Sequence, residues 1–183
     1  MIKLAEVTPD HSKYTHVCAD TETTGVDKYS EVIEIACTEF NLKGEIGATI
    51  HYMCEPLSGY IPAGASKVNN IFMEDVKGCP TYIKGGVRLE CAEFIGDRII
   101  TAHNAPFDIR MMRLQFDDNK IADTLKLAKA EWPRGRVNLK ACISKIGREW
   151  DDEKAHRATY DVEKCIELLL YLNNGNDRRP EFL

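Results

Sequence analysis

Three short segments of this chain place acidic residues where apolar runs begin or end. They are Asp20-Thr21-Glu22-Thr23-Thr24-Gly25, His103-Asn104-Ala105-Pro106-Phe107-Asp108 and His156-Arg157-Ala158-Thr159-Tyr160-Asp161. A carboxylate on a core-facing strand or helix is costly unless something neutralises it, and several together repel one another unless cations sit between them. A fold that gathers these groups therefore needs a cationic centre, and divalent metal ions are the natural content.

The rest of the composition narrows the frame. A chain of 183 residues, 44% hydrophobic and 29% charged, fits one domain with a sizeable core, expected over 1–172, with a polar, mobile tail over 173–183. The N-terminus is too polar for a secretory signal, and the longest apolar run, Leu168 to Leu172, is too short to span a bilayer. The expectation is a soluble, cytoplasmic protein with no membrane partner. Seven cysteines lie scattered without a CxxC pair, most among apolar neighbours, as reduced core thiols do. The net charge of −5 excludes a protein that grips nucleic acid over its whole surface, because that electrostatic term needs clustered Lys and Arg. A local basic rim remains open, from Arg134, Arg136, Lys140, Lys154 and Arg157.

Periodicity reads as α/β. Residues 15–21, Val32 to Phe40 and Ile46 to Cys54 read as three strands, the last two joined by a turn at Gly44, which gives an antiparallel meander. Val87, Cys91, Phe94 and Ile95 recur at helical spacing before a β-branched run from Arg98 to His103. Asn104 is placed as an N-cap with Pro106 in the first turn, and Met111, Leu114 and Phe116 as the apolar stripe of the helix that follows. A short strand at Ile121 leads to Asp123 as a cap. A later helix starts at Asn138 and ends at Gly147, and the last runs from about Ala158 to Leu172.

On these elements the acids acquire directions. Asp20 and Glu22 are two strand positions apart, so both side chains leave one face about 6 to 7 Å from each other. Asp108 falls in a first helical turn, where an acid also complements the helix dipole. Asp161 aligns with Cys165, Leu168 and Leu172 at the edge of the apolar stripe, where a carboxylate is costly. Five residues of helix rotate by about 140°, so His156 and Asp161 share a site only if His156 lies on the loop before that helix.

The three segments, in this order and separation, resemble the signatures of the DEDD superfamily of 3′ to 5′ exonucleases, in its DEDDh branch. That branch includes the proofreading epsilon subunit of the bacterial replicative polymerase and ribonuclease T. The resemblance implies a ribonuclease H-like fold, with a central five-stranded mixed sheet flanked by helices, and two Mg²⁺ or Mn²⁺ ions. It assigns metal coordination to Asp20, Glu22, Asp108 and Asp161 and the general base to His156, a residue type whose titration lies near neutrality. Thr23, Thr24 and Gly25 match positions that hold the terminal nucleotide. Asn104 and Phe107 match residues beside it, although Phe107 also reads as core.

One stretch departs from the pattern. Many relatives carry Val-His-Gly-Ile where this chain reads Val68-Asn69-Asn70-Ile71. Asn69 stands in place of the usual histidine, which leaves Asn70, Ile71 and Phe72 to meet the terminal bases. The implied substrate is the 3′ end of single-stranded DNA, with RNA 3′ ends as the alternative, since sugar choice rests on 2′-hydroxyl contacts that a sequence does not display. A non-catalytic nucleic-acid-binding or polymerase-accessory domain is the more distant alternative, set against the presence of all five catalytic-type residues. The chain stops soon after its last helix, so a free-standing enzyme is expected, with a DNA polymerase as partner only through the body of the domain.

Overall fold

In the computed structural model, residues 11–116 and 120–174 are described. Five strands, β1 (His16–Thr23), β2 (Val32–Phe40), β3 (Ile46–Met53), β4 (Ile99–Ala102) and β5 (Ile121–Asp123), form one mixed sheet in the order β3-β2-β1-β4-β5. β1, β2 and β3 pair antiparallel as a meander, while β4 and β5 join parallel to β1. Helices α1 (Ala63–Asn69), α2 (Met73–Val76) and α3 (Val87–Ile95) fill the crossover from β3 to β4, and α4 (Ala105–Met112) fills the one to β5. α5 (Thr124–Glu131), α6 (Leu139–Lys145) and α7 (Ala158–Asn174) close the chain. This is the α/β, five-stranded mixed sheet flanked by helices that the resemblance implied.

Strand alternation sorts the core onto two faces. Val17, Ala19, Ile35 and Cys37 pack against Val87, Cys91 and Ile95 of α3 and Met111 and Met112 of α4. Cys18, Ala36 and Phe40 point the other way, onto Ala158, Val162, Cys165, Ile166 and Leu169 of α7. All nine residues of β2 are buried, whereas β3 at the sheet edge is largely open. The seven cysteines are free, and six of them are buried, as core thiols. No helix among the described residues is long and apolar enough to cross a membrane.

Several local expectations need correction. α4 stops at Met112 because Arg113 turns left-handed (φ 52°), so Leu114 and Phe116 pack on the core from outside the helix. Asn104 occupies the N-cap position with φ 87°, and its side chain caps nothing; its N–H instead donates to Asp123 Oδ1 at 3.2 Å. Asp123 does cap α5, accepting from the N–H groups of Leu125 and Lys126. α1 and α2 were not anticipated, being too short to show a helical period. α7 continues to Asn174, two residues into the expected tail, and 175–183 lie outside the described residues.

Candidate active site

The site forms at the C-terminal end of β1, where α4 and α7 begin. Cys18 packs toward α7, so Asp20 and Glu22, at the same parity, leave the sheet on the α7 face. Thr21 leaves on the opposite face, and its N–H and Oγ1 both donate to Asp108 Oδ1, at 3.1 and 2.8 Å. This pair of bonds ties the first turn of α4 to β1 and fixes the Asp108 carboxylate, which is 3% exposed. Asp161 lies in the first turn of α7, buried, with Oδ1 lacking any hydrogen-bond partner. His156 sits on the preceding loop, exposed and left-handed (φ 60°), and its backbone N–H bonds the Asp161 carboxylate. The geometry brings one side-chain ligand atom from each of Glu22, His156 and Asp161 within 4.8 Å of one another.

Electrostatics matches the crowding. Burial pushes the Asp20 carboxyl well above its usual range, aided by the charges of Asp108, Glu22 and Asp161. Glu22 is pushed up to about 9, first by burial and then by Asp161, Glu34 and Asp108. Asp108 is pushed up to about 7 by burial, against the pull of its Thr21 bonds, and Asp161 to about 7, again chiefly by burial. Four carboxylates that hold protons against their nature, one with an orphaned oxygen, fit divalent cations, whose charge reverses this logic. The donor set, all oxygen apart from one imidazole, suits hard cations.

Three residues of this site escaped the sequence reading. Glu34 on β2 stands directly opposite Glu22 and is fully buried, yet saturated with partners. Thr21 carries the bonds to Asp108 described above. Asn69, noted only as a departure, is buried, hydrogen-bonds the Glu22 side chain and donates from Nδ2 to the Thr23 carbonyl at 3.4 Å. The signal for Glu34 was available: a lone acid inside Val32-Ile33-Glu34-Ile35-Ala36, at a position buried on both sides.

The residues expected to contact nucleic acid divide. Thr23 Oγ1 donates to the Gly25 carbonyl at 2.5 Å, and Thr24 Oγ1 accepts from the Glu31 N–H at 2.9 Å, so this turn is internally braced. Asn70 is exposed and left-handed at the end of α1. Ile71 is buried among Ile33, Ile61 and Val76, so its side chain is core rather than a surface wedge; Phe72, 49% exposed, is the apolar group beside it. Phe107 is half-buried on the core with Arg110 over its ring. The expected basic rim is mostly spent within the fold, since Lys140 pairs with Asp152, Lys154 with Asp151 and Arg157 with Glu34. His103 is structural, bonded to Thr124 Oγ1 and the Val137 carbonyl.

Known proteins resemble this chain. The chain is 27% identical over 177 residues to the DNA polymerase III subunit epsilon of Rickettsia felis, covering 90% of this chain and 76% of that protein. Among solved structures, exonuclease X in complex with 5′ overhanging duplex DNA superposes with a TM-score of 0.71 at 24% identity, over 90% of this chain and 94% of that one. The zinc-bound form of an Escherichia coli ExoI–ssDNA complex superposes with 0.75 at 18% identity, over 91% and 42% of the two chains. These two likenesses concern the fold. The sequence model of the RNase_T family, described as exonuclease, matches residues 17–169, from within β1 to the later turns of α7, and the chain belongs to that family of exonucleases.

Proposed function

We propose that this chain is a DEDDh-type, metal-dependent exonuclease that removes nucleoside 5′-monophosphates from the 3′ end of single-stranded DNA. The observation that carries the reading is the convergence of Glu22, His156 and Asp161 within 4.8 Å, beside Asp20 and Asp108. Asp20, Glu22, Asp108 and Asp161 would hold two divalent cations, Mg²⁺ or Mn²⁺. The chemistry supplied by such a pair is Lewis acidity, which acidifies the attacking water and offsets charge on the leaving 3′ oxygen.

The chain's own residues do the rest. Thr21 holds Asp108 in one rotamer, and Asn69 holds Glu22, so both carboxylates are oriented before a substrate arrives. His156, at the solvent edge of the acid cluster, takes the proton of the attacking water on its imidazole. The braced Thr23-Thr24-Gly25 turn, with Asn70, Asn104 and Phe107, receives the terminal nucleotide. The resemblance to an epsilon subunit supports DNA as substrate, a DNA polymerase as a partner that presents 3′ ends, and the cytoplasm as the compartment.

The test is a pair of 5′-labelled oligonucleotides, one DNA and one RNA, incubated with Mn²⁺ or Mg²⁺. Stepwise shortening of the DNA from its 3′ end, requiring metal and abolished by Asp108→Ala, is the expected result. Faster trimming of the RNA would move the substrate class, and internal cuts or no metal requirement would overturn the reading.

A further inference from the structure

Glu34 is a buried carboxylate that the proposed chemistry leaves without a task. It is 0% exposed, and its two oxygens gather contacts from three directions. Arg157 donates from Nε to both oxygens at 3.3 and 3.2 Å and from Nη2 to Oε1 at 3.1 Å. The N–H of Ala158, the first residue of α7, donates to Oε2 at 3.3 Å, and His51 Nε2 meets Oε1 at 2.8 Å. One carboxylate thus grips both the side chain of residue 157 and the backbone of residue 158, immediately after His156.

The residue so anchored needs anchoring. His156 has φ 60°, a left-handed conformation that costs a non-glycine residue about 1 kcal/mol or more and persists only where its surroundings impose it. Its ring is exposed, so packing does not hold it. The N–H groups of Ala155 and Arg157 bond the Asp151 and Lys154 carbonyls within the loop itself, and that of His156 meets the Asp161 carboxylate; the ties that join this stretch to β2 are the two that Glu34 makes. Glu34 is itself fixed by the β1–β2 register, directly across from Glu22.

We infer that Glu34 is a positioning residue for the exonuclease reaction: through Arg157 and the first N–H of α7 it sets the backbone of His156, and hence the place of the imidazole against Glu22 and Asp161. It touches neither substrate nor metal. Misplacing a reacting group by about an ångström costs about a hundredfold in rate, so the clamp bears on turnover and leaves substrate affinity alone.

The inference rests on the proposed function for its kinetic arm and on geometry alone for the other. Glu34→Gln keeps the volume and removes the charge. In that variant kcat is expected to fall about 10- to 100-fold with KM nearly unchanged. Made in a His156→Ala background, the same substitution is expected to cost less than about twofold more, because the group it positions is gone. Arg157→Lys, which keeps charge but loses the forked geometry, should fall between wild type and Glu34→Gln. Backbone amide exchange supplies the second arm: in Glu34→Gln the amides of His156, Arg157 and Ala158 should lose protection while those of β1 and β4 keep theirs. Unchanged exchange at these three amides overturns the clamp whatever the enzyme does. Full multiplicative loss in the His156→Ala background overturns the positioning role. An inactive wild type sinks the exonuclease reading and leaves the exchange result to decide the clamp.

Discussion

Glu22 and Glu34 face each other across β1 and β2, both buried, both on the α7 side of the sheet, and their surroundings could hardly differ more. Glu34 is met by a guanidinium, an imidazole and a helix N–H. Glu22 is met by Asp161, Asp108 and Glu34 itself, relieved within the chain by an Asn69 bond, and its carboxyl is pushed up to about 9. A buried acid with its cation built in is part of the architecture, and breaking it leaves an unpaired charge. A buried acid among other acids is an appetite for a cation from outside. Two neighbouring residues of one type thus separate what holds the domain together from what the domain holds.

The largest effect comes from breaking the uncompensated side. Glu22→Gln removes one charge of the proposed metal site, and exonuclease turnover is expected to fall by about a thousandfold, the equivalent of several kcal/mol of lost charge stabilisation. The same variant, free of metal at pH 8, should melt higher than wild type, since an amide needs no proton to be buried among acids, whereas Glu22 must take one up on folding. Glu34→Gln should melt lower. Parallel thermal melts of the two variants check the contrast, and a shared sign would erase it.

A pH series probes the same difference without mutation. Unfolded carboxyls titrate near pH 4, by their usual values of about 3.9 for Asp and 4.3 for Glu. In the folded chain Asp108 and Asp161 titrate near 7 and Glu22 near 9. Between those limits the folded state binds protons that the unfolded state has released, so stability is fully present below about pH 4 and is lost as pH rises through about 7. Metal-free protein is expected to lose several kcal/mol of stability between about pH 5 and pH 8, and Mn²⁺ should restore most of it at the upper end. Melting with EDTA and with Mn²⁺ at matched ionic strength measures this; a stability that rises with pH in EDTA would contradict the crowding of the acids.

Much of this was legible in the chain, for reasons that differ by element. The two-residue spacing of Asp20 and Glu22 fixes their common face once β1 is a strand, and the rotation of a helix puts His156 on a loop, which is where it lies. The bounds of β2 are legible because Val32, Ile33, Ile35, Ala36, Cys37 and Phe40 keep the stretch predominantly apolar despite Glu34, Thr38 and Glu39. Glu34 was passed over because its meaning lies in Arg157, 123 residues away, and no local pattern announces that pair. Thr21 and Asp108, 87 residues apart, are alike in this. Ile71 looked like a wedge because it neighbours Phe72, and only the packing of α1 and α2 on Ile33 shows which of the two turns inward. Asn69 was read as the loss of a stacking group; its amide instead supports Glu22, a contact set by where α1 ends.

A finer probe of the uncompensated side is Thr21→Val, which keeps the strand and the backbone N–H bond to Asp108 but deletes the 2.8 Å hydroxyl bond. Losing one outer hydrogen bond to a metal-facing carboxylate typically costs 10- to 100-fold in affinity or activity. Mn²⁺ affinity, measured by titration calorimetry, is expected to drop by about tenfold, with the fold intact. An unchanged affinity would mean that the backbone N–H alone orients Asp108.

The smallest effect should come from the compensated side. His51 contributes one contact to Glu34 from the edge strand β3, and its side chain is 36% exposed, whereas Glu34 is enclosed. His51→Ala leaves the three Arg157 contacts and the Ala158 N–H in place, so Glu34 never becomes an unpaired buried charge. The cost is that of one partly exposed pair, below about 1 kcal/mol, or about 2–4 °C in melting temperature for a domain of this size. Turnover should stay within about twofold of wild type, because the Arg157 clamp beside His156 is untouched. A larger loss from His51→Ala than from Arg157→Lys would shift the weight of the clasp to the imidazole, and with it the explanation of how one of two facing acids came to need no metal.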